Sequence, residues 1–92
     1  MQVKVMNRIY RMSRKEYQGL LQVASEQVPF GIYAIEKKGY AELRVDRCSS
    51  MTQLKNLTRN FKAQGFRVLA NNGKLLRSAG QDATEGALMS AT

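Results

Sequence analysis

The side chains of this 92-residue chain with the most to offer chemically are its cations and tyrosines. Tyr40 and Arg44 lie four residues apart in the run Tyr40-Ala-Glu-Leu-Arg-Val-Asp46, where alternation puts them on one side of a strand. A guanidinium can grip a phosphate through two N–H donors, and a phenol ring can stack on a base for about 1–3 kcal/mol. Arg8, Tyr10, Arg11, Arg14, Lys15, Lys37, Lys38 and Arg67 join them as candidates for holding nucleic acid or an acidic protein surface. Arg11, Arg14 and Lys15 also flank the start of a helix, where backbone N–H groups favour an anion. Each candidate has an ordinary role as well. Tyrosines fit half-buried strands, and Lys37-Lys38 makes a solvated turn.

Chemistry of other kinds has little to work with. There is no histidine, so the usual acid–base group is missing. Cys48 is the only cysteine, which excludes a Cys–His nucleophile, an internal disulfide and a thiolate zinc site. Gly31 and Gly39 are isolated, and no glycine-rich phosphate loop occurs. The expectation is a protein that binds rather than catalyses, with no cofactor and no metal.

Charge points the same way. All fifteen Lys and Arg lie between Lys4 and Arg77 with only five of the seven acids, so residues 1–77 carry +10 and the last fifteen residues −2. Such a body attracts polyanions by counterion release. No run of eighteen apolar residues occurs, and the N-terminal stretch has no apolar core of a signal peptide. A membrane is therefore not an expected partner, and a reducing cytoplasmic setting fits a lone cysteine.

The elements that must position these residues are readable from pattern. Val3 to Met12 alternates as one strand, with Asn7 interrupting the apolar side so that a bend or a shorter strand is the alternative. Ser13-Arg-Lys-Glu16 fits a capping box, and Tyr17, Leu20, Leu21 and Ala24 give one helical face that ends before Pro29. Gly19 within it suggests close packing. Phe30 to Asp46 is a hairpin around Lys37-Lys38-Gly39. Its first strand is apolar on both parities, as in a strand covered on both sides. Its second has Ala41, Leu43 and Val45 inward and Tyr40, Glu42, Arg44 and Asp46 outward. Ser50-Met-Thr-Gln53 starts a second helix with Met51, Leu54, Leu57 and Phe61 on one face, and Lys55, Arg59 and Lys62 on the wet one. Gly65-Phe66 ends it, Phe66 to Ala70 is a last strand, and Asn71-Asn72-Gly73 is a turn after which Lys74 to Arg77 can fold back. Residues 1–77 thus form one α+β domain, and 78–92 read as a flexible or loosely docked tail.

This order is β-α-β-β-α-β, the ferredoxin-like split arrangement: an antiparallel sheet with two helices on one face. The opposite face would be open, with Lys4, Met6, Arg8 and Tyr10 beside Tyr40 and Arg44, unless a second copy covers it as a homodimer.

Lys38-Gly39-Tyr40-Ala41 resembles the opening of the third-strand signature of RNA-recognition-motif domains, which share that topology. The resemblance implies single-stranded nucleic acid stacked on the sheet. Glu42 stands where that family usually carries a stacking ring, Val45 occupies the other aromatic position, and Lys4 or its neighbours replace the first-strand aromatic. In overall style, short, basic and poor in motifs, the chain is similar to small bacteriophage and mobile-element proteins, including anti-CRISPR proteins. Two functions are therefore expected in order: a nucleic-acid-binding accessory protein, DNA or RNA, of such an element, or a protein-binding inhibitor of a host defence system.

Overall fold

A computed structural model describes residues 1–73. The fold is α+β: a mixed sheet of five strands and two helices. The strands are β1 (Gln2–Val5), β2 (Arg8–Arg11), β3 (Phe30–Lys37), β4 (Tyr40–Arg47) and β5 (Arg67–Asn72). The helices are α1 (Arg14–Gln27), between β2 and β3, and α2 (Met51–Ala63), between β4 and β5. The expected extra strand at Lys74 to Arg77 and the expected tail lie outside the described residues. Among those described, no helix is long and apolar enough to cross a membrane.

The first strand departs from expectation. Val3 to Met12 is two strands, folded back at Met6-Asn7 and paired antiparallel with Val5 opposite Arg8. Met6 takes φ 59°, the left-handed region that costs a side chain with a Cβ roughly 1–2 kcal/mol.

That reversal redirects the rest. The strand order is β2-β1-β4-β3-β5, with β1 parallel to β4 and the other neighbours antiparallel. In the ferredoxin-like arrangement the last strand pairs with the first. Here β2 already fills that edge of β1, and β5 pairs with β3 instead. The helices are also not on one face. β2 and β3 run opposite to β4 and β5, while both connections step the same way across the sheet, so crossovers of one hand must pass on opposite sides.

Packing agrees. Buried Tyr17 and half-buried Leu21 of α1 pack on Val3 and Ala41, whereas Leu54, Leu57 and Phe61 of α2 pack with Ile32, Ile35 and Val68. Ala41 lies opposite Glu36, and Ile35 lies opposite Glu42, so the two clusters use alternate faces. A bulge at Tyr33 shifts the register between Ile32 and Ala34, which lets Ile32 and Ile35 share the α2 side. β3 is thus covered on both sides, as its sequence suggested. Gly31 just before the bulge is obligatory: at φ 147°, a Cβ there would lie 2.1 Å from the Asp46 carbonyl oxygen. Gly19, by contrast, faces open space, so close packing does not explain it.

The helix ends form as their sequences direct. Ser13 Oγ accepts from the Glu16 N–H at 3.1 Å, and Glu16 accepts from the Ser13 N–H at 2.8 Å. At the end of α2, the Phe66 N–H donates to the Phe61 carbonyl and the Gly65 N–H to that of Lys62. This is a Schellman motif, sealed by an edge-on contact of the Phe61 and Phe66 rings at 6.3 Å. Asn71 and Asn72 belong to β5 rather than to a turn. The buried Asn71 side chain donates to the Ser25 and Val28 carbonyls, which satisfies the end of α1.

Candidate nucleic-acid interface

Strand direction decides where the cations gather. β2 and β3 end, and β1, β4 and β5 begin, at the same edge of the sheet. A single register row crosses that edge, with Arg11 opposite Gln2, Gln2 opposite Tyr40 and Tyr40 opposite Lys37. Arg67, opposite Glu36, starts β5 beside it. α1 begins there with Arg14 and Lys15, and α2 ends there with Lys62. Seven cations from five elements and one turn thus meet at one pole: Arg11, Arg14, Lys15, Lys37, Lys38, Lys62 and Arg67.

Two carboxylates share the pole, and both are engaged. Glu16 sits in the α1 cap, where the Ser13 backbone N–H and hydroxyl hold it below the usual carboxylate range. Glu36 accepts from the Tyr17 hydroxyl at 2.5 Å and lies 4.0 Å from Arg67. The Tyr17 phenol is pushed far up, first by burial and then by that carboxylate; Tyr33 is raised by burial and by Glu36. Because Glu16 closes the α1 N-terminus, anion binding there rests on Arg11, Arg14 and Lys15 rather than on free helix N–H groups.

Lys37 and Lys38 are presented by a turn that needs glycine, with Gly39 at φ 72°. The Lys37 ammonium stands 4.2 Å from the centre of the Phe66 ring, so the Schellman cap also positions a pole cation. All seven cations are exposed. Among the described residues, only Arg67 of the seven has a carboxylate within 4.0 Å.

The other sequence candidates are placed differently. Arg8 is at the far end of β2 from the pole. Tyr10 lies opposite Val3 and so belongs to the α1 side, away from Tyr40, because the turn at Met6-Asn7 changes strand and face. Arg44 is consumed within the fold. Its guanidinium donates to Glu42 at 2.6 Å and to Asp46, and it lies over the Phe61 ring of α2 at 4.9 Å. Hydrogen bonding to Asp46 raises its pKa. Tyr40 reaches Glu42 at 3.4 Å, and its phenol is raised by burial and that carboxylate. The face expected to be open is therefore partly covered by α2 and carries a closed network of charges.

A groove of about 560 Å³, not foreseen from the residue pattern, runs from the pole between α2 and β5. Lys55, Arg59 and Lys62 line it beside Met51, Leu54 and Ala70. Their i, i+4, i+7 spacing is legible as one helix face; that β5 places a floor beside it is not. No cluster of acidic, histidine or cysteine side chains suited to a metal occurs among the described residues, and the Cys48 thiol is pushed up by burial and by Asp46.

Comparison with protein-family models, with curated proteins and with solved structures finds no match to this chain.

Proposed function

We propose that this is a small nucleic-acid-binding accessory protein that takes phosphates at the basic pole and leads the strand into the groove along α2. The gathering of seven exposed cations at one end of the sheet carries the reading. Ammonium and guanidinium groups there displace condensed counterions, and a cationic wall over apolar atoms suits a single strand whose bases need cover. The chain acts without catalysis, a cofactor or a membrane. Its short, basic, motif-poor character supports assignment to a bacteriophage or mobile element and action in the cytoplasm.

The test is titration of labelled single-stranded DNA and RNA over a series of salt concentrations. With about five phosphates neutralised, log Kobs on a single strand should fall against log salt with a slope of about −3.5. Undetectable or salt-insensitive binding at low ionic strength overturns the proposal.

A second reading is favoured by Glu42, which sits in the middle of the sheet face where a stacking ring would serve nucleic acid. The same pole would then meet an acidic protein surface, as in an inhibitor of host defence such as an anti-CRISPR protein. Protein partners retained on the immobilised chain after nuclease treatment separate this from the first reading.

A further inference from the structure

The end of the molecule away from the basic pole carries few charges of mixed sign, among them Arg8, Glu26, Asp46 and Arg47. There a groove of about 290 Å³ runs between α1 and the sheet, lined mostly by apolar side chains (Val5, Leu20, Val23, Leu43 and Val45), with Arg44 and Gln27 also on its wall. Val23 is 51% exposed and Val45 55%, unusual for a strand residue whose neighbours Ala41 and Leu43 point into the core. Met6 edges the groove from the β1–β2 turn and is 88% exposed, in a backbone conformation that Gly or Asn would hold at lower cost. A knob and a groove side by side on one surface are the ingredients of a self-complementary contact, because a two-fold axis sets each against its counterpart.

The charges on this surface also match themselves. Among the described residues Glu26 is the one carboxylate with no ion pair or hydrogen bond; Glu16, Glu36, Glu42 and Asp46 are all engaged. It lies three residues after Val23, on the neighbouring helical position. Arg8 lies opposite Val5, on the other flank of the groove, and also has no partner among the described residues. A second copy would bring its Arg8 to this Glu26, and the reverse. An interface here keeps the two basic poles at the far ends of the pair, so their repulsion is small; a sheet-to-sheet dimer would stack cations instead.

We infer that this surface is a homodimer interface: Met6 of each copy seats in the groove of the other, and Arg8 pairs with Glu26 across the two-fold axis. Sedimentation velocity on the full chain tests it without nucleic acid. The expected result is a species of twice the 10.4 kDa chain mass at micromolar concentration. Val23→Gln with Val45→Thr should weaken association about tenfold or more, with the thermal unfolding of the chain retained. Arg8→Glu and Glu26→Arg should each weaken it, and the two together should restore it. A wild-type chain that stays monomeric to high micromolar concentration overturns the inference. So does a dimer that is indifferent to the groove variants, or a charge swap that fails to rescue.

Discussion

The Arg44 guanidinium lies 4.9 Å from the centroid of the Phe61 ring while Glu42 and Asp46 hold its edges. One side chain thereby ties β4 to α2 and balances two partly buried carboxylates. Its removal leaves both without a counter-charge. Arg44→Met should therefore lower stability in urea unfolding by about 1–2 kcal/mol, discounted from a fully buried pair because the group keeps some solvent access. Its affinity for single-stranded DNA should stay within about twofold of wild type. A large loss of affinity with unchanged stability would restore Arg44 to the binding surface.

The pole makes the converse prediction. Arg14→Glu with Lys38→Glu should cost little stability, since both side chains are exposed and have no ion-pair partner among the described residues. Binding should weaken at least tenfold at low salt, with the salt slope reduced by about 1.4, about 0.7 for each phosphate of the single strand that is no longer neutralised. Arg47→Gln, at the other end of the sheet where Arg47 donates to the Gln27 carbonyl, removes charge away from the pole and should change binding little. Equal effects from the two sites would mean that net charge alone drives association.

Much of this fold is legible in the sequence, and the departures in topology share one cause. Both helices, their caps and the β3–β4 hairpin follow from local chemistry: a serine three residues before Glu or Gln, an apolar stripe, a glycine at φ 72°. Met6-Asn7 carries a weaker mark: Asn7 is a turn residue, but methionine is a poor one and no glycine accompanies it, and so β1 and β2 read as one interrupted strand. From that reversal come the altered strand order, the helices on opposite faces and the separation of Tyr10 from Tyr40. Of the ten candidate residues, Arg11, Arg14, Lys15, Lys37, Lys38 and Arg67 gather at the pole, with Tyr40 in the same register row. Strand parity alone could not reveal this, because the gathering runs across strand ends rather than along one face.

Gly31 should be the least tolerant position described. A Cβ would strike the Asp46 carbonyl at 2.1 Å, with the Arg47 Cα at 2.9 Å, and both are backbone in a central strand pair. Gly31→Ala should lower stability by about 3 kcal/mol or more, or prevent recovery of folded chain. Gly19→Ala is the matching control: nothing lies within 4 Å of its Cβ. Alanine in the middle of a helix should raise stability in urea unfolding, by about 0.5–1 kcal/mol.

Tyr17 gives a pH signature of the core. Its phenol is fully buried and donates to Glu36 at 2.5 Å, so burial first and the carboxylate second hold it neutral far above its ordinary range. In the unfolded chain it ionises at about pH 10. Its contribution to stability is then complete below about pH 10 and is lost as pH rises further, because the unfolded state releases a proton that the native state keeps. The fall should approach about 1.4 kcal/mol per pH unit for this residue. Tyr33 and Tyr40 are shifted in the same direction and add to it. Urea unfolding from about pH 9 to 11 should show stability declining with pH, and Tyr17→Phe should make the decline shallower without abolishing it. A variant with the wild-type slope would mean that Tyr17 ionises in the folded protein as readily as in the unfolded chain.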